Sequence, residues 1–446
     1  SDVYKRQSYL IGIAVIVLGI ANQKLFGSIL DAGLNWVSDN FGWWLVLFAL
    51  ILVLLVFGLA FSKAGDVVIG GAGAKPEYTM WQWFSMSLKG GIGTDILFWA
   101  IGEPIFHMAA PPAAAGAQPF TREAGLFAIS QTMLHWTIAQ YAMYSLCAVG
   151  VALMAYNRRR TISVSSIFEP YLSSSVYGVV KTVVPMVSLF CIVGALACSM
   201  AVGLMQINSG LNFFFGLPID GVTVFAIAAI MVTVYVVSCL TGIKKGMRVL
   251  SSFCTIVFIG LMVYVLCLGP TRFIVDAGTE SLGVFFNRFF EHSVILPTMA
   301  ENETWSKSWI IMFMASFFVY APIIGLFLAR LGKGRTVREF IFMNIGAPTL
   351  FCIVWIAIWG GTTVWLQYTG IMDVWQSVNE KGLEVTIFTI LSTLPFAKIL
   401  AAFFIIAVFF SFSTMADSIT GTMATLSTKN LSVDDEAPRW LKIIWG

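Results

Sequence analysis

Ten apolar segments, at residues 8–21, 42–62, 78–107, 125–155, 182–214, 222–241, 249–269, 309–330, 343–369 and 394–425, limit what this chain can fold into. Runs of roughly 20 apolar residues match the thickness of a bilayer's hydrocarbon core. No water reaches a backbone N–H or C=O there, and a helix satisfies every such group internally. The expected fold class is therefore an all-α polytopic membrane protein. Its composition agrees, since the 446 residues are 58% hydrophobic and only 11% charged, with a mean hydropathy of +0.86. A net charge of +3 is too small to point to a nucleic-acid partner. The seven cysteines all lie inside apolar runs without metal-ligand spacing, and read as small packing residues.

The third segment carries Lys89-Gly90-Gly91-Ile92-Gly93-Thr94-Asp95 at mid-membrane. Three glycines in four residues loosen a helix and bare its backbone. Such backbone is tolerated at bilayer depth only where protein covers it or it lines a cavity. Two readings are open. In one, Gly90, Gly91 and Gly93 break the helix at a transport site; in the other they let two helices cross closely. Lys89 and Asp95 flank the glycines, and charges this deep are expensive and mostly functional.

Charge places the loops. With a cytoplasmic N-terminus, 18 of the 26 Lys and Arg residues fall inside and six outside, with Lys89 and Lys398 in the spans. The inner set includes Arg158, Arg159, Arg160, Lys244, Lys245, Arg248, Arg330, Lys333, Arg335 and Arg338. The first run follows Asp2, Lys5 and Arg6 without a small-residue cleavage site, so it is expected to be a retained helix. The fifth, longer than a bilayer needs, is expected to tilt or kink at Gly194 or Gly203. The outer loop between Pro270 and Ser308 carries an amphipathic pattern around residues 281–292, which predicts a surface helix with His292 on its exposed polar face.

Three stretches resemble the betaine, choline and carnitine transporter family. The first is Gly91-Ile92-Gly93-Thr94-Asp95, followed by Phe98-Trp99 and Gly102-Glu103-Pro104. The second is His135-Trp136 with Tyr141 and Tyr144. Most specific is the run from Gly325 to Phe340, which is similar to the family signature leaving its eighth span; Leu391 to Pro395 and Ala416-Asp417-Ser418 add a weaker match. The resemblance implies two peripheral helices at residues 1–77 and a five-plus-five inverted-repeat core. Its first repeat falls at 78–269, an outer loop with the amphipathic helix at 270–308, and an incomplete second repeat at 309–446. About 10 spans would be present, with residues 439–446 starting another. It also implies a homotrimer in the cell membrane that carries a small solute by alternating access without a cofactor.

A quaternary ammonium has a diffuse positive charge and no N–H to donate, so aromatic faces hold it well. Trp136, Tyr141 and Tyr144 span about 140° on one helix. Trp309, Phe313, Ser316, Phe317 and Tyr320 face them from the eighth span, and Ile92 comes from the glycine stretch. These are the candidate substrate residues, each of the aromatics having packing or lipid contact as its alternative. Where the family has a tryptophan-rich run, Met314-Ala315-Ser316-Phe317 stands here, so the cage is weaker and more polar.

Sodium wants a shell of oxygen ligands. Sodium-coupled relatives have a Thr-Ser pair before Ala-Asp-Ser, which reads Thr414-Met415 here, and Lys89 falls where they carry a small residue. An ammonium in place of a bound ion implies sodium independence. Asp95 resembles the proton-coupled choline transporters of the family, and such a carboxyl can load and release a proton as access alternates. A static Lys89–Asp95 pair is the alternative. Exchange through an Arg on the seventh span is disfavoured, because Cys254 stands at that place. Glu103 reads as a structural hydrogen-bonder at the outer interface, and His135 as a packing partner or a second proton acceptor. A membrane enzyme using His135 and Asp95 as acid and base is the competing class, and a chain with three His is poor material for it. A transporter of a non-onium, amino-acid-like solute is the nearer alternative.

Overall fold

The structure is a computed structural model that describes residues 17–19, 21–92, 95–241, 248–298, 304–428 and 436–446; the side chains of residues 89–92 lie outside that description. It is helical throughout, with one isolated β-bridge among the described residues. The helices are α1 (Gln23–Phe61), α2 (Met80–Ile92), α3 (Asp95–Ala109), α4 (Arg122–His135) and α5 (Ile138–Ala152). They continue with α6 (Ser174–Phe215), α7 (Gly221–Thr241), α8 (Arg248–Leu268), α9 (Thr271–Asn287) and α10 (Met312–Leu331). The last are α11 (Ala347–Tyr368), α12 (Val374–Lys381), α13 (Leu383–Ser392), α14 (Ala397–Leu426) and α15 (Arg439–Trp445).

Among the described residues, eight stretches are long and apolar enough to cross a membrane. Most of the expected first span lies outside the described residues. The third is realised as α2 and α3 on either side of Gly93 and Thr94, which are also outside them. Burial sorts the helices. In the apolar window of residues 122–157, 72% of positions are buried, against 22% in α7. On α1 a stripe at Gly42, Leu45, Val46, Ala49, Val53, Val56 and Ala60 is buried, while Trp43, Leu47, Ile51 and Leu54 face outward. Outward apolar faces of this extent are stable when lipid is the solvent. The chain is thus an all-α polytopic membrane protein.

The core is centred on α5 and α10, which share the most extensive helix contact. Gly325 makes that approach possible, because a Cβ there would lie 2.7 Å from Cys147 Sγ. Neither Gly194 nor Gly203 interrupts α6, which runs helically for 42 residues from Ser174 through Pro185 until Gly216, in the left-handed region, ends it. At 1.5 Å per residue this is about 63 Å, twice the hydrocarbon thickness, so the excess projects beyond it or is taken up by tilt.

The basic run after α10 clamps the loop between α1 and α2. Ile69 N–H donates to the Arg335 carbonyl at 2.9 Å, Gly334 N–H to the Ile69 carbonyl at 2.9 Å, and Val337 N–H to the Val67 carbonyl at 2.9 Å. Arg338 Nε donates to the Ala60 carbonyl at 2.9 Å and its Nη1 to Asp66 at 2.7 Å. Arg335 donates to the Tyr78 carbonyl at 3.1 Å and covers the Trp83 ring. Gly334 has φ +76° and no room for a Cβ against Lys75 and Pro76. Gly334→Ala is therefore expected to cost about 1–3 kcal/mol, read as a lower midpoint in a thermal-denaturation scan of the purified protein.

The amphipathic pattern expected at residues 281–292 falls partly in α9, which starts earlier, at Thr271, ends at Asn287, and buries Ile274, Ala277, Gly278, Ser281 and Phe285 at helical spacing. His292 departs from expectation. A short turn at Phe289–His292 follows α9 and folds the imidazole inward, leaving it 1% exposed with its ring 5.3 Å from Phe127. Burial lowers its pKa from an ordinary 6.5 to about 4, against Glu291, which raises it; Arg288 lowers it further. A buried neutral base stabilises the fold above pH 6.5, and this contribution is lost as pH falls through 4, because the unfolded state takes up the proton first. The melting temperature should accordingly drop between pH 6.5 and 4, and drop less in His292→Gln.

Candidate substrate and ion site

Helix α4 ends at His135, and Trp136 and Thr137 turn the chain before α5 starts at Ile138. That interruption aims the Trp136 indole into a cavity of about 520 Å³. Asp95 and Trp99 of α3, Gln140 and Tyr144 of α5, and Met415 of α14 also line it. From α10 come Met312, Phe313, Ser316, Phe317 and Tyr320, and from α6 a stripe at Cys191, Ala195, Cys198, Ser199 and Val202.

Four aromatic rings stand together on one wall. Phe313 meets Trp136 edge-on at 5.3 Å and stacks on Phe317 at 5.8 Å. Phe317 in turn meets Trp136 at 6.3 Å and Tyr144 at 6.4 Å, both edge-on. Rings at these angles present both faces and edges to a guest, and the faces are what a cation seeks.

A polar cluster also lines the cavity. Ser199 Oγ lies 3.0 Å from Asp95 Oδ2 and 3.1 Å from the Tyr320 hydroxyl, which lies 3.0 Å from the Ala195 carbonyl. These three contacts join α3, α6 and α10. They need three protons to be hydrogen bonds at once, and two hydroxyls supply two. The third is present when Asp95 is a carboxylic acid: Asp95 then donates to Ser199, Ser199 to Tyr320, and Tyr320 to the Ala195 carbonyl. With Asp95 ionised, the chain reverses and Tyr320 chooses between two acceptors.

The remaining sequence candidates are distributed as follows. Tyr141 is buried away from the cavity, with its hydroxyl 3.8 Å from Cys352 Sγ. Trp309 does not line the cavity; it packs between Trp99 and His107. Ser316 reaches the lining, though its hydroxyl donates to the Met312 carbonyl at 2.8 Å. Thr414 donates to the Phe410 carbonyl at 2.7 Å, a bond within its own helix, while Met415 faces the cavity. The side chains of Lys89, Gly90, Gly91 and Ile92 lie outside the described residues, as do Gly93 and Thr94 entirely. Sequence reasoning missed Ser199, Gln140 and Trp99. The α6 stripe was readable as a 3.6-residue repeat of small residues, which looked like packing.

Glu103 lies within α3, which continues through Pro104, and its carboxyl is enclosed with no exposure. His135 Nδ1 lies 2.6 Å and His107 Nε2 2.9 Å from its Oε1, and Trp136 Nε1 donates to Oε2 at 2.8 Å. The donor atoms of Glu103, His107 and His135 lie within 4.8 Å of one another, close enough to hold a metal ion. Trp305 argues against one. Its indole N–H can only donate, and it donates to His107 Nδ1 at 3.1 Å, so the His107 proton sits on Nε2, the atom a metal would need.

A family model described as betaine/carnitine/choline family transporter matches residues 6–446. Among curated relatives, the chain is 27% identical over 98% of its length to a probable glycine betaine transporter of Desulfitobacterium hafniense, covering 86% of that protein. It is 28% identical over its full length to an osmo-dependent choline transporter of Acinetobacter baylyi, spanning 65% of that longer protein. An ectoine/hydroxyectoine transporter of Virgibacillus pantothenticus is 27% identical over 97% of the chain, which covers 85% of that relative.

Proposed function

The chain belongs to the betaine/carnitine/choline family of transporters, and from that premise we propose that it carries a small quaternary-ammonium or related zwitterionic solute across the cell membrane, driven by protons and independent of sodium. The observation that carries this reading is a cavity lined both by a cluster of aromatic rings and by Asp95. Trp136, Tyr144, Phe313 and Phe317 attract the onium, and the Asp95–Ser199–Tyr320 chain holds the coupling proton. Sodium independence is supported by what flanks the cavity on α14: Thr414 bonds its own helix and Met415 offers a thioether, a poor ligand for a hard cation.

Alternating access follows from where the chain of hydroxyls lies. It ties α3 and α6 to α10, so loading or losing the proton changes how the three helices are held together. The proposal keeps the two repeats at residues 78–269 and 309–446, a cytoplasmic N-terminus from the Lys and Arg distribution, and a homotrimer from family resemblance.

Uptake into proteoliposomes tests it. Choline, glycine betaine, carnitine and ectoine are offered with an inward proton gradient, in sodium and in potassium buffers. Accumulation of at least one onium is expected with the gradient in either buffer. Uptake that needs sodium and ignores the gradient would refute the coupling, and uptake of ectoine without any onium would refute the substrate class.

A further inference from the structure

We infer that Glu103 and His135 form a second proton-binding site behind the aromatic wall, whose occupancy sets how strongly Trp136 attracts a cation; this rests on the reading of the cavity as an onium site. Glu103, His107, His135 and Gln131 are all fully buried, and Trp136 nearly so, with its ring lining the cavity. A proton held by Glu103 and His135 is therefore one indole away from the guest.

The hydrogen bonds identify which ring nitrogen can accept a further proton. Trp305 fixes His107 as a neutral ring that donates from Nε2 to Glu103. His135 has no such lock. Its Nδ1 faces Glu103 at 2.6 Å, and its Nε2 lies 3.0 Å from the Gln131 amide nitrogen. An amide can present either N–H or oxygen. With neutral His135, Gln131 donates to Nε2, and its buried Oε1 has no partner among the described residues. When Nε2 takes a proton, the amide turns over and Oε1 accepts it, so the orphaned oxygen is satisfied in the loaded state.

The two states differ in charge. With both imidazoles neutral, Glu103 is a buried carboxylate that accepts three donors, one of them the Trp136 indole, and the cluster carries one negative charge. A carboxylate on the indole N–H enriches the ring in electron density and favours a cation on its face. Protonated His135 cancels that charge. Proton and onium thus oppose each other here.

The elements packed around Glu103 and His135 bring these groups. His107 shares α3 with Glu103; Asp95 is two turns away on the same helix. Helix α11 brings Gly360 against Pro104, and α13 brings Leu383, the neighbour of Glu384 in the chain, against Gly102. Helix α12 brings Trp375 against Phe106, and Trp305 and Phe313 cover His135. His292 lies behind Phe127.

The test uses binding of radiolabelled choline to the purified full chain at pH 8 and pH 5, in a background that removes Asp95. In Asp95→Asn, affinity is expected to fall about tenfold at the lower pH, equivalent to about 1.4 kcal/mol. Asp95→Asn with His135→Asn, which keeps the donor to Glu103 but cannot take a proton, should bind equally at both. A flat response in Asp95→Asn alone overturns the inference while leaving Asp95 as the coupling group. A response in Asp95→Asn that vanishes once His135→Asn is added upholds it, and the part Asp95 plays in coupling is read separately from transport. A readout that needs no ligand is the Trp136 indole N–H resonance, assigned by Trp136→Phe. It should move between pH 8 and 5 in Asp95→Asn and stay fixed once His135→Asn is added; a resonance that moves in both, or in neither, overturns the inference.

Discussion

Asp95→Asn is expected to abolish accumulation driven by a pH gradient and to leave solute exchange intact. One proton per solute sustains about a tenfold accumulation per pH unit at clamped membrane potential, because one pH unit is worth 1.36 kcal/mol. The variant should bring that ratio to unity. Its amide can donate to Ser199 as the carboxylic acid does, so it imitates the loaded site and keeps the contacts among α3, α6 and α10. Solute inside should still exchange for labelled solute outside. Retained accumulation in Asp95→Asn means the coupling proton is elsewhere. Ser199→Ala, which removes the middle of the chain but not the carboxyl, should reduce rate with less effect on the ratio.

Trp136→Ala should weaken onium binding by about 30-fold, given that a desolvated cation–π contact is worth about 2 kcal/mol. The loss should be selective. A neutral analogue, with carbon in place of the ammonium nitrogen, keeps the apolar contact and gains nothing from the ring's quadrupole, so its affinity should change far less. Phe317→Ala is expected to be milder because Phe313 stacks beside it and covers part of the gap. Competition against a radiolabelled onium measures all of these. If the charged and neutral analogues lose equally, the wall is simple packing and the cage assignment is wrong. Since Trp136 also donates to Glu103, Trp136→Phe separates the roles: it keeps an aromatic face and removes the donor.

How far the sequence foretold this site differs from residue to residue. Apolar run lengths were sufficient for an all-α membrane protein, since bilayer thickness leaves a chain few choices. Trp136, Tyr144, Phe313 and Phe317 were legible as a group. Tyr141 was not separable from them, because the arc argument assumed one helix through residues 136–144, whereas the chain turns at Trp136 and Thr137 and resets the register. His292 was misplaced for a related reason. Local pattern reads the face of one helix, but burial depends on what another element lays across it, here Phe127 over the turn after α9. Ser199 was invisible as a ligand because a hydroxyl on a stripe of small residues also serves close packing.

The short bridge between residues 67–69 and 334–337 has a mechanical meaning. It couples the C-terminal end of α10 to the strap that leaves α1, and Arg338 bolts the same end to Ala60 and Asp66. A displacement of one of these two helices is therefore passed to the other. The seam between α10 and α6, by contrast, is bridged by the Tyr320 hydroxyl, which meets Ser199 Oγ and the Ala195 carbonyl.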